Sequence, residues 1–120
     1  MTKKRGTYQD GLWAESVAEI VLRLKGYRIL ARRYKTSLGE IDLVVRRGKS
    51  VAFVEVKKRR TIPEALESLT PAMKRRIINA ARHFLAAYPD YGSCDMRFDL
   101  FVVSGLFSFR HLDNAWLSTT

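Results

Sequence analysis

Three charged residues interrupt two apolar runs within residues 39–59 of this chain, and they constrain its fold more than any other feature. The stretch contains two runs of strand-forming residues separated by a short turn at Gly48. Asp42 interrupts the first run, and Glu55 and Lys57 interrupt the second. An ionised side chain inside a sheet is costly unless it is paired or binds a metal ion. The stretch therefore predicts a β-hairpin that carries a polar site.

The turn predicts how the two strands of this hairpin face each other. Gly48 followed by Lys49 is typical of a two-residue type II′ turn, which has glycine in its first position. With that turn Asp42 lies directly opposite Glu55, at a Cβ separation of about 5 Å. Lys57 leaves the same face as Glu55, because side chains two residues apart in a strand point the same way.

The residue pattern leaves two interpretations of this cluster open. In the first, Asp42 and Glu55 hold Mg²⁺ or Mn²⁺, because these hard cations prefer oxygen ligands. Lys57 then orients a water molecule or contacts a phosphate. In the second, the cluster is structural, with Glu40 paired to Lys57 and the other groups facing water at the end of the sheet. Apolar residues on both faces of the strands argue against full exposure.

The rest of the chain predicts one α/β domain over residues 1–120, with a mixed sheet flanked by helices. The nearly continuous apolar character of the strands is typical of a sheet covered on both faces. Residues 1–7 are expected to form a flexible basic arm, and residues 60–69 a short helix or a loop. The predicted order is α-β-β-β-α-β-β, with a helix at 8–25, strands at 27–34, 38–46 and 50–58, a helix from Thr70 and Pro71 to Tyr88, and strands at 96–103 and 107–112.

The charge of the chain favours a polyanionic partner. It has 22 lysine and arginine residues against 12 aspartate and glutamate residues, which gives a formal net charge of +10. Such an excess is typical of nucleic-acid-binding proteins. The alternative is a basic surface that only faces water. We expect phosphate contacts from two clustered basic runs, namely Lys58, Arg59 and Arg60, and Lys74, Arg75 and Arg76.

Several other classes of protein are not indicated. Cys94 is the only cysteine, so no intramolecular disulfide forms. His83 and His111 lack the spacing to each other and to Cys94 that a zinc site requires. No secretory signal and no apolar run of membrane-spanning length is present, so we expect a cytoplasmic protein without a membrane partner. No serine-based triad and no glycine-rich phosphate loop is found.

The order of motifs resembles a known family. Asp42 and the triplet Glu55-Val56-Lys57 resemble the core motif of the PD-(D/E)xK nucleases, and the chain from Glu15 to Trp116 resembles the YraN-like family of uncharacterised bacterial proteins. The segments that carry this second resemblance are the helix at 15–27, Gly-Glu-Ile-Asp at 39–42, Phe-Val-Glu-Val-Lys at 53–57, the basic helix at 74–82, Arg-Phe-Asp at 97–99, and His111 with Asn-Ala at 114–115.

The resemblance implies a restriction-endonuclease-like core and an endonuclease that hydrolyses phosphodiester bonds in DNA, with branched DNA suggested by a likeness to archaeal Holliday junction resolvases. It implies Asp42, Glu55 and Glu15 as ligands of Mg²⁺ or Mn²⁺, with Lys57 as a further catalytic residue. Glu19 is the rival to Glu15 on the same helix. The resolvase likeness also suggests a homodimer.

Two other functions fit the same resemblance. One is a non-catalytic protein that binds nucleic acid on a nuclease fold, and the other is an accessory factor in a nucleoprotein complex. The chain departs from the family pattern at two places. Alanine precedes Glu15 where the family usually has glycine, and Arg33 and Tyr34 follow Arg32 where it usually has asparagine.

Overall fold

Helices cover both faces of a five-stranded sheet in the computed structural model. It describes residues 2–105 and 108–116, and for residues 2–10 it describes the backbone alone. None of the described helices combines the length and the apolar character that a membrane-spanning segment needs. The elements are α1 (Thr2–Leu24), β1 (Arg28–Thr36), β2 (Gly39–Arg47), β3 (Ser50–Lys58), α2 (Ile62–Glu67), α3 (Pro71–Ala87), a 3₁₀ turn (Pro89–Tyr91), β4 (Asp95–Val103) and β5 (Phe109–Trp116).

The sheet is mixed, with the strands in chain order from β1 to β5. Neighbouring strands are antiparallel except for β3 and β4, which run parallel. A parallel pair needs a long crossover connection, and α2 and α3 provide it. The predicted α/β class and the mixed sheet are therefore confirmed.

Each face of the sheet has its own apolar core. On one face α1 contributes Ala14, Ala18 and Leu22, which pack with Leu43, Val45, Ala52, Val54, Phe101 and Val103. On the other face α3 contributes Ile77, Ile78, Ala80, Ala81 and Phe84, which pack with Val44, Val51, Phe53, Leu100 and Val102. The strands are apolar on both faces because both faces are covered, as the sequence predicted.

The hairpin of β2 and β3 has the predicted turn and register. Gly48 has φ +60°, whereas Lys49 does not have a positive φ, which agrees with a type II′ turn. The pairs run from Arg47 with Ser50 to Leu43 with Val54. Beyond that point regular pairing stops, and the two strands separate at the positions of the expected polar site.

The beginning of α3 follows from its first residues. The Thr70 hydroxyl accepts a hydrogen bond from the Met73 N–H at 3.2 Å, and Pro71 occupies the first turn, where its missing N–H costs nothing. The helix ends at Ala87, before Pro89. Both boundaries agree with the prediction. A second capping threonine, Thr61, begins the short helix α2.

Two predicted boundaries need correction. The expected flexible arm at residues 1–7 is wrong for residues 2–7, because α1 begins at Thr2; Met1 lies outside the described residues. The segment has no proline, and a helix that is already packed extends at little cost through lysine and arginine. The last strand covers Phe109–Trp116 rather than 107–112, and residue 107 lies outside the described residues.

Gly39 lies where β2 approaches the backbone of α3. A Cβ atom on Gly39 would lie 2.6 Å from the carbonyl carbon of Arg76 and 2.9 Å from its Cα. We expect Gly39→Ala to lower the free energy of unfolding by about 1–3 kcal/mol, because helix backbone cannot move aside as a flexible side chain can. Urea denaturation measures this loss.

Gly11→Ala is the matched control for that experiment. A Cβ atom on Gly11 would have no atom within 4 Å. Because the residue lies inside α1, alanine there is expected to raise the free energy of unfolding by up to about 1 kcal/mol. Equal stability of Gly39→Ala and the wild type would contradict the close approach of β2 and α3.

Candidate active site

A cleft of about 280 Å³ opens where β2 and β3 separate. It brings together the four residues that the sequence proposed as catalytic, namely Glu15, Asp42, Glu55 and Lys57. α1 forms one wall through Gly11 and Ala14, and α3 forms the opposite wall through Met73, Arg76 and Ile77. The cleft therefore lies at one end of the sheet, between the two helices that cover its faces.

At this point the Asp42 side chain takes the place of the regular backbone pairing between β2 and β3. Its Oδ2 atom accepts a hydrogen bond from the Val56 N–H at 2.8 Å. The side-chain alternation of β2 changes at the same place, because Ile41 packs in the core beside α3 and Leu43 in the core beside α1. The carboxylate thus satisfies a backbone donor that the separated strand has left without its ladder partner.

Glu55 is a buried acid beside a second carboxyl group. Only 8% of the residue is exposed, and its carboxyl group is within hydrogen-bonding range of Asp42. Burial and, next, the hydrogen bond and repulsion from Asp42 raise the pKa of Glu55 to about 9. The protonated form is therefore favoured at neutral pH when no cation lies between the two carboxyl groups.

Lys57 forms its ion pair with Glu55. The Nζ atom lies 3.3 Å from Glu55 Oε2, and the lysine side chain is 15% exposed. The structural interpretation predicted an ion pair between Lys57 and Glu40. Glu40 instead lies at the exposed rim of the same cleft, and no ion pair between these two occurs in the part of the chain that the structure describes.

Glu15 lies in the cleft but is engaged by an arginine. Its Oε1 atom accepts a hydrogen bond from Arg33 Nε at 2.9 Å. The rival residue, Glu19, forms ion pairs with Arg23 and Arg32 and does not line this cleft. Among the described residues, no three histidine, cysteine, aspartate or glutamate side chains are grouped so that they could hold one metal ion. Asp42 and Glu55 are thus a pair of carboxyl groups, with Glu15 nearby.

Arg33 has an unusual backbone conformation at the edge of the cleft. Its φ of +48° is in the left-handed region, where residues other than glycine, asparagine and aspartate are uncommon. In the pairing of β1 with β2, regular partners flank it, Arg32 with Leu43 and Tyr34 with Ile41. Arg33 therefore lies beside Asp42. At this position β2 lacks regular pairing with both of its neighbours, β1 and β3.

The cleft continues on both sides into a groove with basic ends. Towards β1 it joins a cleft of about 320 Å³ that includes Arg33 and Lys35, and towards the end of β3 it joins one of about 380 Å³ that includes Lys58, Arg59 and Arg60. Gly11 lines all three parts. The paired carboxyl groups therefore lie near the middle of the groove.

The proposed phosphate-contact residues separate into two groups. Lys58, Arg59 and Arg60 line the groove as a set, and Arg76 lines its central part. Lys74 and Arg75 line none of its three parts. Sequence reasoning missed Arg33 and Lys35. Arg33 and Lys35 lie on either side of Tyr34 in the strand, and this spacing was the available signal that both side chains leave the same face.

A second buried carboxylate, Asp99, has a different environment. Arg97 donates two hydrogen bonds to it at 2.9 and 2.8 Å, the Asn114 N–H donates a third at 2.9 Å, and His111 Nε2 lies 2.8 Å from its Oδ2. Burial alone would raise the pKa of Asp99, but the hydrogen bonds from His111 and Arg97 outweigh it and keep the pKa below its usual range. With Arg97 as its charged partner, Asp99 therefore has the environment of a structural carboxylate.

The raised pKa of Glu55 predicts how stability depends on pH. Between its ordinary pKa, near 4.5, and about 9, the folded state binds more protons than the unfolded state. Without divalent metal, the free energy of unfolding should therefore fall as pH rises through this range, by at most about 1.4 kcal/mol per pH unit from this group. Thermal melting in EDTA at pH 5, 7 and 9 measures the effect.

Glu55→Gln is the matched variant, because glutamine resembles the protonated acid. It should lose the Glu55 part of this pH dependence and be more stable than the wild type at pH 9. Glu67→Gln, on the exposed face of α2, is the control and should keep the wild-type profile. If Glu55→Gln and wild type follow the same profile, Glu55 does not retain its proton in the folded protein.

Comparison with known proteins agrees with the motif order. A model of the Uncharacterised protein family UPF0102 matches residues 14–103. A UPF0102 protein of Parvibaculum lavamentivorans is 50% identical over 109 residues, which are 91% of this chain and 82% of that protein. One from Bradyrhizobium diazoefficiens is 43% identical over 113 residues, which are 94% and 85% of the two chains. The resemblance to the YraN-like family is thereby confirmed. This chain belongs to the UPF0102 family.

Proposed function

We propose that this protein is a divalent-metal-dependent endonuclease that hydrolyses phosphodiester bonds in DNA, with branched DNA as the first substrate to test. The observation that carries the proposal is the pair formed by Asp42 and Glu55, buried beside Lys57 in a groove with basic ends. A structural acid pair would not need such a groove. The resemblance to PD-(D/E)xK nucleases supports the restriction-endonuclease-like core.

The donor set fits Mg²⁺ or Mn²⁺. Magnesium usually binds through one or two carboxylates together with water and substrate phosphates. Asp42 and Glu55 supply two hard oxygen donors whose mutual repulsion a cation removes. Glu15 becomes an outer ligand if Arg33 moves to a phosphate, because the arginine now engages its carboxylate. When bound, the cation lowers the pKa of a water molecule and stabilises negative charge on the phosphate.

Asp42, Lys57 and the basic residues at the end of β3 have separate roles in the proposed reaction. Asp42 is held in place by the Val56 N–H, which donates to its Oδ2 atom. Lys57 is fixed beside Glu55 and can place its positive charge against a phosphoryl oxygen, where it stabilises the charge that develops in the transition state. Lys58, Arg59 and Arg60 contact neighbouring phosphates and align the strand along the groove.

Asp42→Asn tests the catalytic assignment. It keeps the size of the side chain but removes a negative charge, so we expect the cleavage rate to fall at least about 100-fold. Cleavage of branched, nicked and linear DNA with Mg²⁺ or Mn²⁺ is measured on gels. Glu67→Gln is the control for loss of one acidic charge and should cleave at the wild-type rate.

The outcomes separate the competing functions. Equal rates for Asp42→Asn and wild type on every substrate would refute the catalytic role of Asp42. Salt-sensitive DNA binding that survives Asp42→Asn and Glu55→Gln, without cleavage by any form, would instead identify a non-catalytic nucleic-acid-binding protein. Co-purification with ribosomal particles, without affinity for DNA, would indicate the accessory role in a nucleoprotein complex.

Metal binding should release a proton. Because the pKa of Glu55 is raised to about 9, the acid is protonated at pH 7 and must lose its proton to bind a cation. Calorimetric titration with Mn²⁺ in two buffers of different ionisation enthalpy should give about one proton released per bound ion. Affinity should rise up to about tenfold per pH unit below pH 9.

Glu55→Gln provides the comparison for the metal titration. It should bind Mn²⁺ at least about tenfold more weakly, because a neutral amide replaces a carboxylate, and its residual binding should release no proton from this position. Unchanged affinity and proton release in Glu55→Gln would contradict the proposed ligand pair. Glu67→Gln again serves as the control.

A further inference from the structure

Three arginines meet at the opposite end of the hairpin from the carboxyl pair. Arg28, Arg46 and Arg47 line a cleft of about 370 Å³ together with Gly26, Tyr27 and Gly48. No acidic residue lines this cleft, and no ion pair of these three arginines occurs among the residues that the structure describes. Their positive charges are therefore not compensated by a carboxylate.

Two of these arginines face each other directly across the sheet. Arg28 is the partner of Arg46 in the antiparallel pairing of β1 with β2. Like charges directly opposite in a sheet destabilise it, because their side chains leave the strands only about 5 Å apart. A bound anion would remove this repulsion, just as a cation would remove the repulsion between Asp42 and Glu55.

Contacts hold two of these guanidinium groups in place, although the Tyr91 ring against which Arg46 packs, at 5.5 Å from its Cζ atom, does not line the cleft. Arg47 lies with its Cζ atom 4.5 Å from the centre of the Tyr27 ring, and its Nη1 atom donates to the Lys25 carbonyl oxygen at 3.2 Å. Arg46 Nε donates to the Gly48 carbonyl oxygen at 3.0 Å. Each guanidinium has five N–H donors, so both retain donors for a ligand without a large loss of conformational entropy.

We propose that this arginine cleft is a second phosphate-binding site, which contacts the backbone of the same nucleic acid that lies in the groove at the carboxyl pair. Arginine is suited to phosphate because its planar N–H donors match the phosphate oxygens. The proposal rests on the nucleic-acid partner of the proposed function but not on cleavage. None of the residues that the sequence predicted to contact phosphate lines this cleft, namely Lys58, Arg59, Arg60, Lys74, Arg75 and Arg76.

The spacing of the two sites suits a nucleic acid. Arg46 is four residues from Asp42 along β2, which corresponds to about 13 Å at about 3.3 Å per residue. Phosphates of one DNA strand are about 3.4 Å apart along the helix axis. A duplex of more than a few base pairs is long enough to span this distance. A single phosphorylated small molecule would occupy the arginine cleft alone.

The double variant Arg28→Gln/Arg46→Gln tests the proposal. Binding of a fluorescent 30-base-pair duplex is measured by anisotropy in EDTA, which prevents metal-dependent cleavage, at several salt concentrations. Loss of two phosphate contacts should weaken binding at least about tenfold and reduce the slope of log affinity against log salt by up to about 2. Because the change also removes the cross-strand repulsion, the variant should melt at or above the wild-type temperature.

Arg82→Gln/Arg110→Gln is the matched control, because it removes the same charge from exposed positions that line neither the groove nor the arginine cleft. It should bind DNA within about threefold of the wild type. If both double variants lose the same affinity, the effect is one of net charge and the second site is refuted. If wild type does not bind DNA at all, the nucleic-acid partner of the proposed function is refuted as well.

Inorganic phosphate distinguishes the source of the ligand. Phosphate added to the wild type and to the control should raise the melting temperature more than chloride at equal ionic strength, whereas Arg28→Gln/Arg46→Gln should lose this difference. If Arg28→Gln/Arg46→Gln loses the phosphate effect but binds DNA as tightly as the wild type, the cleft is a site for a small phosphorylated molecule. That result would refute the nucleic-acid assignment.

Discussion

The hydrogen bond from the Val56 N–H to the Asp42 carboxylate is the interaction on which the site depends. It satisfies the backbone of β3 after the pairing with β2 has ended, so the strands can separate without leaving a buried donor unpaired. The separation makes room for the cleft, and it leaves Glu55 beside Asp42, while Glu55 keeps its regular pairing with Leu100 of β4.

Two buried carboxyl groups in this protein show how environment separates structural from reactive acids. Asp99 accepts hydrogen bonds from an arginine and a backbone N–H and lies against a histidine, so its charged form is favoured. Glu55 is buried and has a repelling neighbour, Asp42, and these outweigh its one cation, Lys57, so its protonated form is favoured. A strongly perturbed acid in a cleft is a common property of functional sites. The contrast supports the placement of the proposed chemistry at Glu55, and it explains why Asp99 suits the packing of β4 against β5.

Local signals in the sequence were sufficient for most of the fold. The threonine and proline at the start of α3, and glycine at the hairpin turn, gave the correct boundaries because each acts within a few residues of its own position. The start of α1 was predicted too late, because helix extension through residues 2–7 depends on the packed part of the helix rather than on those residues. The left-handed φ of Arg33 was also unpredictable from its side chain, because arginine rarely adopts this conformation.

The sequence by itself determined the mixed α/β class, the register of the hairpin and the presence of an acid pair, because these follow from side-chain alternation and turn chemistry over a few residues. Only the tertiary structure decided that Glu15 rather than Glu19 lies in the cleft, that Arg33 engages it, and that three arginines gather at the far end of the hairpin. These choices depend on how α1 rotates over the sheet and on the irregular pairing of β1 with β2. Contacts between residues distant in the chain set both, and no short segment encodes them.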